Sequence, residues 1–287
     1  LAIRMNSPVD YELLARSVEK AMVRYPYFCV YPEREGETLV LRYNKRPLPV
    51  FPDDRTVTLG SEDSRGHLIS FGCKDRTIFI DASHYLADGM GVDPLLKSLL
   101  YIYVSERYGT EGLEVERIRM PDSPVCEGEF AYPFPDRMIE AEELDILPKA
   151  PEEAYSLDPD AFDKDGLYAY HLHIPQKAMM AKASSSDGSP VSFISVLLYR
   201  ALHRLDQNID KPVVAHVQHQ YRPTLQTPMS HHSLVNYIPV VLSPRMSGWD
   251  VEKQNTVVRG QVILKGGRDA DVVAIRHLIE AFPVDAS

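Results

Sequence analysis

What most restricts the fold of this sequence is a change of period between residues 68 and 103. Leu68 to Cys73 and Thr77 to Ala82 are apolar-rich runs on either side of Lys74-Asp75-Arg76, the pattern of two antiparallel strands and a tight turn. In the second run Ile78, Ile80 and Ala82 point to one face, and Phe79, Asp81 and Ser83 to the other. From Val92 onward the apolar residues recur at Leu95, Leu96, Leu99, Leu100 and Tyr103, the spacing of a helix lying on a sheet and ending near Gly109. Between the two periods lies Ser83-His84-Tyr85-Leu86-Ala87-Asp88-Gly89. A segment placed where a strand gives way to a helix has a rigid base beneath it and open space ahead, which is what a histidine acting as general base requires.

The rest of the chain builds around this unit. Leu1 to Met5 reads as a short strand. Asp10 is a helix cap with Val9 as a hydrophobic staple toward Leu14, and Leu13, Leu14, Val18, Ala21, Met22 and Tyr25 form one stripe that stops at Pro26. Strands are expected over 28–31 and 38–43 around Glu33-Arg34-Glu35-Gly36, followed by proline-interrupted chain from Pro47 to Pro52. Residues 110–165 are proline-rich and acidic, and read as a partly extended crossover linker. A second block opens with strand-like Leu167 to Ile174. A helix then starts near Pro190, with Val191, Ile194, Leu197, Leu198, Ala201, Leu202 and Leu205 on its buried side. Strands over 213–217 and 234–242 and helices over 250–264 and 269–281 complete the pattern. The fold class is α/β (α+β) in two lobes, 1–150 and 151–287.

Charge and composition exclude several functions. A formal net charge of -10 with scattered Lys and Arg argues against nucleic acid and anionic membranes as partners. No apolar run approaches the length of a membrane span, and no secretory layout opens the chain, so a cytoplasmic protein is expected. Cys29, Cys73 and Cys126 are odd in number and widely spaced, which suits three reduced thiols.

His84-x-x-x-Asp88-Gly89 resembles the active-site motif of the CoA-dependent acyltransferase superfamily, which includes chloramphenicol acetyltransferase, condensation domains, plant BAHD enzymes and alcohol acetyltransferases. Val9-Asp10-Tyr11-Glu12-Leu13 with Arg24-Tyr25-Pro26-Tyr27-Phe28 resembles their opening helix. Tyr221-Arg222-Pro223 with Leu234-Val235-Asn236-Tyr237-Ile238-Pro239 resembles a strand of their second lobe. The resemblance implies two lobes, each a mixed sheet with helices, and a tunnel for a pantetheine arm and an acceptor. It implies acyl transfer from acyl-CoA, or from the phosphopantetheine arm of a carrier protein, to a small alcohol or amine, with no metal or redox cofactor. Ser83 stands where peptide-forming condensation domains carry a second histidine, which suits the single-histidine, alcohol-acylating branch. The family's second lobe normally runs past residue 287, so an incomplete second lobe is expected.

His84 is the catalytic candidate. Asp88 is expected to hold the loop by pairing with an arginine, and Gly89 to allow a sharp turn without a Cβ clash. Ser83, Tyr85, Arg222, Asn236 and Tyr237 are candidate tunnel or substrate contacts, with a solvated role for Arg222 as the alternative. Ser192 or Ser195 is a guess for the oxyanion donor. A zinc site gathering His84, Asp88 and one of His171, His173, His216, His219, His231 or His232 is the rival chemistry. A binding or scaffold protein that keeps the fold without turnover is the rival function.

Overall fold

Asp10 begins the first helix as the sequence predicts: its carboxylate accepts from the Leu13 N–H at 2.9 Å. The computed structural model describes residues 1–36, 38–134, 151–157 and 172–281. β1 (Ala2–Arg4) leads into α1 (Tyr11–Val23), whose buried residues include Leu13, Leu14, Val18, Ala21 and Met22. Pro26 opens a single 3-10 turn over Pro26–Phe28, so Phe28 lies in that turn and not in the expected strand. β2 (Val30–Glu35) and β3 (Thr38–Tyr43) pair antiparallel as a hairpin.

β4 (Val50–Phe51), β5 (Ile69–Lys74) and β6 (Thr77–Ala82) precede the long helix α2 (Gly89–Tyr108), which stops at Gly109. The sheet order is β1-β6-β5-β4. β6 pairs antiparallel with both β1 and β5, and β4 runs parallel to β5 with Val50 opposite Phe71. Two residues of strand thus survive between Pro49 and Pro52, at the sheet edge where missing N–H donors are tolerated. α1 packs against α2, and one core joins them to the sheet: Leu14, Val18, Tyr25, Ile69, Phe71, Ile78, Ile80, Leu95 and Leu99 are all buried. Each fully buried aliphatic side chain there contributes about 1.5–3 kcal/mol relative to exposure.

Residues 110–165 are more than a linker. α3 (Glu127–Phe130) lies within them, and Glu129 is fully buried. By contact density the chain divides into two units, Leu1–Phe134 with Leu225–Leu234, and Pro135–Thr224 with Val235–Ser287. Ten residues from the later part of the sequence therefore belong to the first unit.

The later elements are α4 (Gln176–Ser185), α5 (Pro190–Leu205), β7 (Val213–Gln220), α6 (Arg222–Leu225), β8 (Val235–Leu242), α7 (Val251–Lys265) and α8 (Arg268–Ala281). β7 and β8 pair antiparallel from Val213 opposite Leu242 to Gln220 opposite Val235. The predicted strand at Leu167 to Ile174 falls mainly outside the described residues, and Leu172 to Ile174 carry no strand. α4 is a helix the sequence did not announce; Ala183 is its one buried residue, so it has little apolar stripe to read.

The predicted burial of α5 holds only for Leu202, which is partly buried against the second unit's core. Ser189 and Pro190 start the helix as expected, but Val191, Ile194, Leu197, Leu198 and Leu205 are exposed, and Ser192, Phe193, Ser195, Val196 and Tyr199 face the core. The buried stripe is displaced by about one residue, roughly 100° of helix. Phe193 and Tyr199 fill more space than the smaller aliphatics, and Ser192 and Ser195 are buried because their hydroxyls bond within their own helix.

Candidate active site

β6 ends at Ala82, and the next residues form a tight turn tied to itself and to the residue preceding β5. The Ser83 N–H donates to the Leu68 carbonyl at 2.9 Å, and the Ser83 carbonyl accepts from Leu86 and Ala87 N–H. The Ser83 hydroxyl accepts from the Tyr85 N–H at 3.3 Å. Leu86 and Ala87 are buried in the core, which leaves His84 and Tyr85 to project outward; Tyr85 is 81% exposed. His84 is exposed as well, and among the described residues its ring makes no hydrogen bond to protein. It lines a cavity of about 400 Å³ together with Asp81, Ala87, Asp88, Gly89 and Val92.

Asp88 is buried at 1% exposure, and its two carboxylate oxygens serve two backbone donors. Oδ1 accepts from Gly91 N–H at 2.9 Å and so caps α2; Oδ2 accepts from Leu234 N–H at 3.0 Å. Among the described residues no three His, Cys, Asp or Glu side chains gather as a metal site.

The glycine that matters sterically is two residues later than the sequence suggests. A Cβ on Gly89 would meet nothing within 4 Å, whereas one on Gly91 would stand 2.0 Å from the His231 carbonyl oxygen. Gly91 thus allows residues 230–234 to lie directly against the first turn of α2.

That distant segment is anchored by a buried ion cluster that sequence reasoning missed. Glu129 takes a bidentate pair from Arg24, at 2.6 and 3.0 Å, with Arg119 at 2.8 Å and the Tyr27 hydroxyl donating at 2.7 Å. Burial pushes the Glu129 carboxyl up, but hydrogen bonds from Arg24, Tyr27 and the Cys126 N–H, with the charge of Arg119, bring it down to about 2. Burial and the bond to Glu129 push the Tyr27 phenol up. The Glu129 carbonyl accepts from His231 N–H at 2.9 Å and from its Nδ1 at 2.7 Å, which assigns the proton to Nδ1. The His231 ring stacks near Tyr27 at 4.5 Å between centroids. The only sequence hint was Arg24 beside two tyrosines; nothing in spacing links it to Glu129.

The remaining candidates lie in the second unit. Arg222 is buried, at 5% exposure, and donates to Gln220, which overturns the solvated alternative. Asn236 and Tyr237 are adjacent on β8 and so face opposite ways: the Asn236 amide donates to the Tyr221 hydroxyl, and the Tyr237 ring is exposed beside His216. Ser192 and Ser195 are not free to donate to a substrate oxyanion. Ser192 completes the α5 cap with Ser189, and Ser195 donates to the Val191 carbonyl at 2.9 Å. His219 pairs with Asp271 at 2.8 Å, and His171 lies outside the described residues. The three cysteines are free thiols. Among the described residues no helix is long and apolar enough to cross a membrane.

No protein-family model and no curated protein matches this sequence. Solved structures do match. The first condensation domain of the calcium-dependent antibiotic synthetase, in complex with a substrate analogue, is 15% identical with a TM-score of 0.57, over 93% of this chain and 68% of that one. TRI101 from F. sporotrichioides, complexed with coenzyme A and T-2, is 11% identical with a TM-score of 0.57, over 100% and 77%. The condensation domain of the monacolin K polyketide synthase MokA is 11% identical with a TM-score of 0.55, over 100% and 71%. The mixed α/β arrangement described above is therefore the fold of these condensation domains and of TRI101, as the motif around His84 led us to expect.

Proposed function

We propose that this protein is an acyltransferase that moves an acyl group from a thioester, with acyl-CoA as the leading donor, to an alcohol or amine, and that His84 is its general base. The observation that supports this most is the placement of His84: an exposed imidazole at the end of a buried strand, on a turn fixed by its own hydrogen bonds, over a cavity of about 400 Å³. The fold adds to it, since TRI101 was crystallised with coenzyme A.

In the proposed reaction neutral His84 takes the proton from the acceptor O–H or N–H as that atom attacks the thioester carbonyl. The new C–O or C–N bond forms, the tetrahedral intermediate collapses, the C–S bond breaks, and the proton passes from His84 to the leaving thiolate. Asp88 acts through position only: it fixes the first turn of α2 and the 230–234 segment, and with them the rim on which His84 stands. Ser83 shapes the same turn, and Tyr85, Arg222, Asn236 and Tyr237 are our candidates for substrate contact.

The test is incubation of the full-length product with acetyl-CoA and a panel of alcohols and amines, with acylated product followed by mass. Wild type is expected to form product, and His84→Ala to form it about 10²–10⁴-fold more slowly. Equal rates would remove His84 from the chemistry. Binding of donor and acceptor with no product from wild type would favour the scaffold reading.

A further inference from the structure

The cavity beside His84 has a one-sided electrostatic lining. Its walls are largely apolar, from Val57, Leu59, Ala82, Ala87 and Val92 among others. Three polar side chains besides His84 line it: Thr56, Asp81 and Asp88. Asp88 already accepts from the amides of Gly91 and Leu234. Asp81 lies opposite Ser70 in the sheet, on the face of β6 turned away from Ile78 and Ile80 and their core, and it is half-buried. Among the described residues no Lys or Arg side chain lines the cavity.

A carboxylate at an apolar wall with no paired side-chain cation attracts a cationic ligand group and repels an anionic one. The distance sets the size of that ligand. Asp81 and His84 are three residues apart, so their α-carbons are separated by no more than roughly 10–11 Å. A single small molecule spans both.

We propose that Asp81 sets the acceptor class: it holds an ammonium group of a small molecule whose hydroxyl or second, neutral amine is presented to His84, so that the preferred acceptors are amino alcohols and diamines. This rests on the acyl-transfer reading for the word acceptor, but the binding preference stands without it. Asp81 is a binding residue in this account and takes no part in proton transfer.

The experiment is an equilibrium titration of the full chain with three ligands of equal length: 5-amino-1-pentanol, 1-hexanol and 5-hydroxypentanoate. For wild type the anionic ligand is expected to bind most weakly. The ratio of affinities, amino alcohol over hexanol, should fall about fivefold in Asp81→Asn, with hexanol itself changed less than twofold, as expected for a half-exposed ion pair. Asp81→Glu keeps the charge and should keep most of the ratio, and raising salt should lower the ratio in wild type and Asp81→Glu but not in Asp81→Asn. If the ratio in Asp81→Asn stays within twofold of wild type, or if wild type binds none of the three, the proposal fails. If Asp81→Asn does not fold, the wild-type salt response decides: a ratio independent of salt overturns the proposal. His84→Ala separates this from the catalytic reading. It should retain the binding ratio while losing turnover, so turnover that survives sinks the base assignment alone.

Discussion

α2 and α5 carry the same kind of message in sequence and answer it differently. Both show apolar residues at i, i+3, i+4 and i+7, and both form helices of 20 and 16 residues where that period predicts them. In α2 the predicted stripe is the buried one: Val92, Leu95, Leu99 and Tyr103 are at most 3% exposed. In α5 the predicted stripe is mostly exposed, with Leu198 at 61% and Leu205 at 83%, and only Leu202 packs partly against the core. Periodicity reports that a helix will form and that some face is apolar. Which face is covered depends on what packs against it: α1 and the sheet in one unit, α4, α7 and β7 in the other.

The sharpest way to break this comparison is to disturb the polar anchor beneath the motif in the first unit. Glu129→Ala leaves Arg24 buried without its carboxylate, and is expected to cost about 3–5 kcal/mol in urea unfolding of that unit. The same contact makes the unit acid-sensitive. The folded carboxyl is held down at about 2 against an ordinary value of 4.5, so its contribution of about 3 kcal/mol is fully present above pH 4.5 and is lost as pH falls from there through 2. Acid unfolding followed by near-UV circular dichroism should flatten across that window in Glu129→Gln.

Core truncation comes next. Leu99→Ala in α2 should cost about 3 kcal/mol by chemical denaturation, because Leu99 is fully buried in the first unit's core. Gly91→Ala tests the close approach of the 230–234 segment. Helix propensity alone predicts a gain of about 1 kcal/mol for Ala over Gly. The His231 carbonyl 2.0 Å from the new Cβ predicts a net loss of about 2 kcal/mol instead, so the sign of the change decides. The smallest effect belongs to α5: Leu198→Ala should shift stability by less than about 0.5 kcal/mol. A loss comparable to Leu99→Ala would mean that the exposed stripe is covered after all.

These cases also mark what was legible. Hairpin, turn and helix around His84 could be read because local patterns determine them: alternation in Thr77 to Ala82, a capping Asp88, and an apolar repeat from Val92 to Tyr103. The exposure of His84 followed from the same logic, since the flanking Leu86 and Ala87 take the core side. Asp88 was read as structural, but one of its partners, the Leu234 N–H, lies 146 residues away and has no local signature. Glu129 was hidden for the same reason, and because a buried carboxylate in a proline-rich acidic stretch resembles its solvated neighbours until Arg24 and Arg119 are brought to it. Gly91 was passed over in favour of Gly89 because only the folded chain places the His231 carbonyl against it. Long-range polar contacts leave no period behind, whereas faces and caps do.

The central claim, that His84 is the base on a rim held by distant chain, is tested most directly by the steady-state rate of thiol release from acetyl-CoA in three proteins: wild type, His84→Ala and the surface control Leu198→Ala. The account predicts a kcat about 10²–10⁴-fold lower for His84→Ala, with KM for the donor little changed and Leu198→Ala close to wild type. A His84→Ala protein that folds normally and releases thiol at the wild-type rate would contradict it.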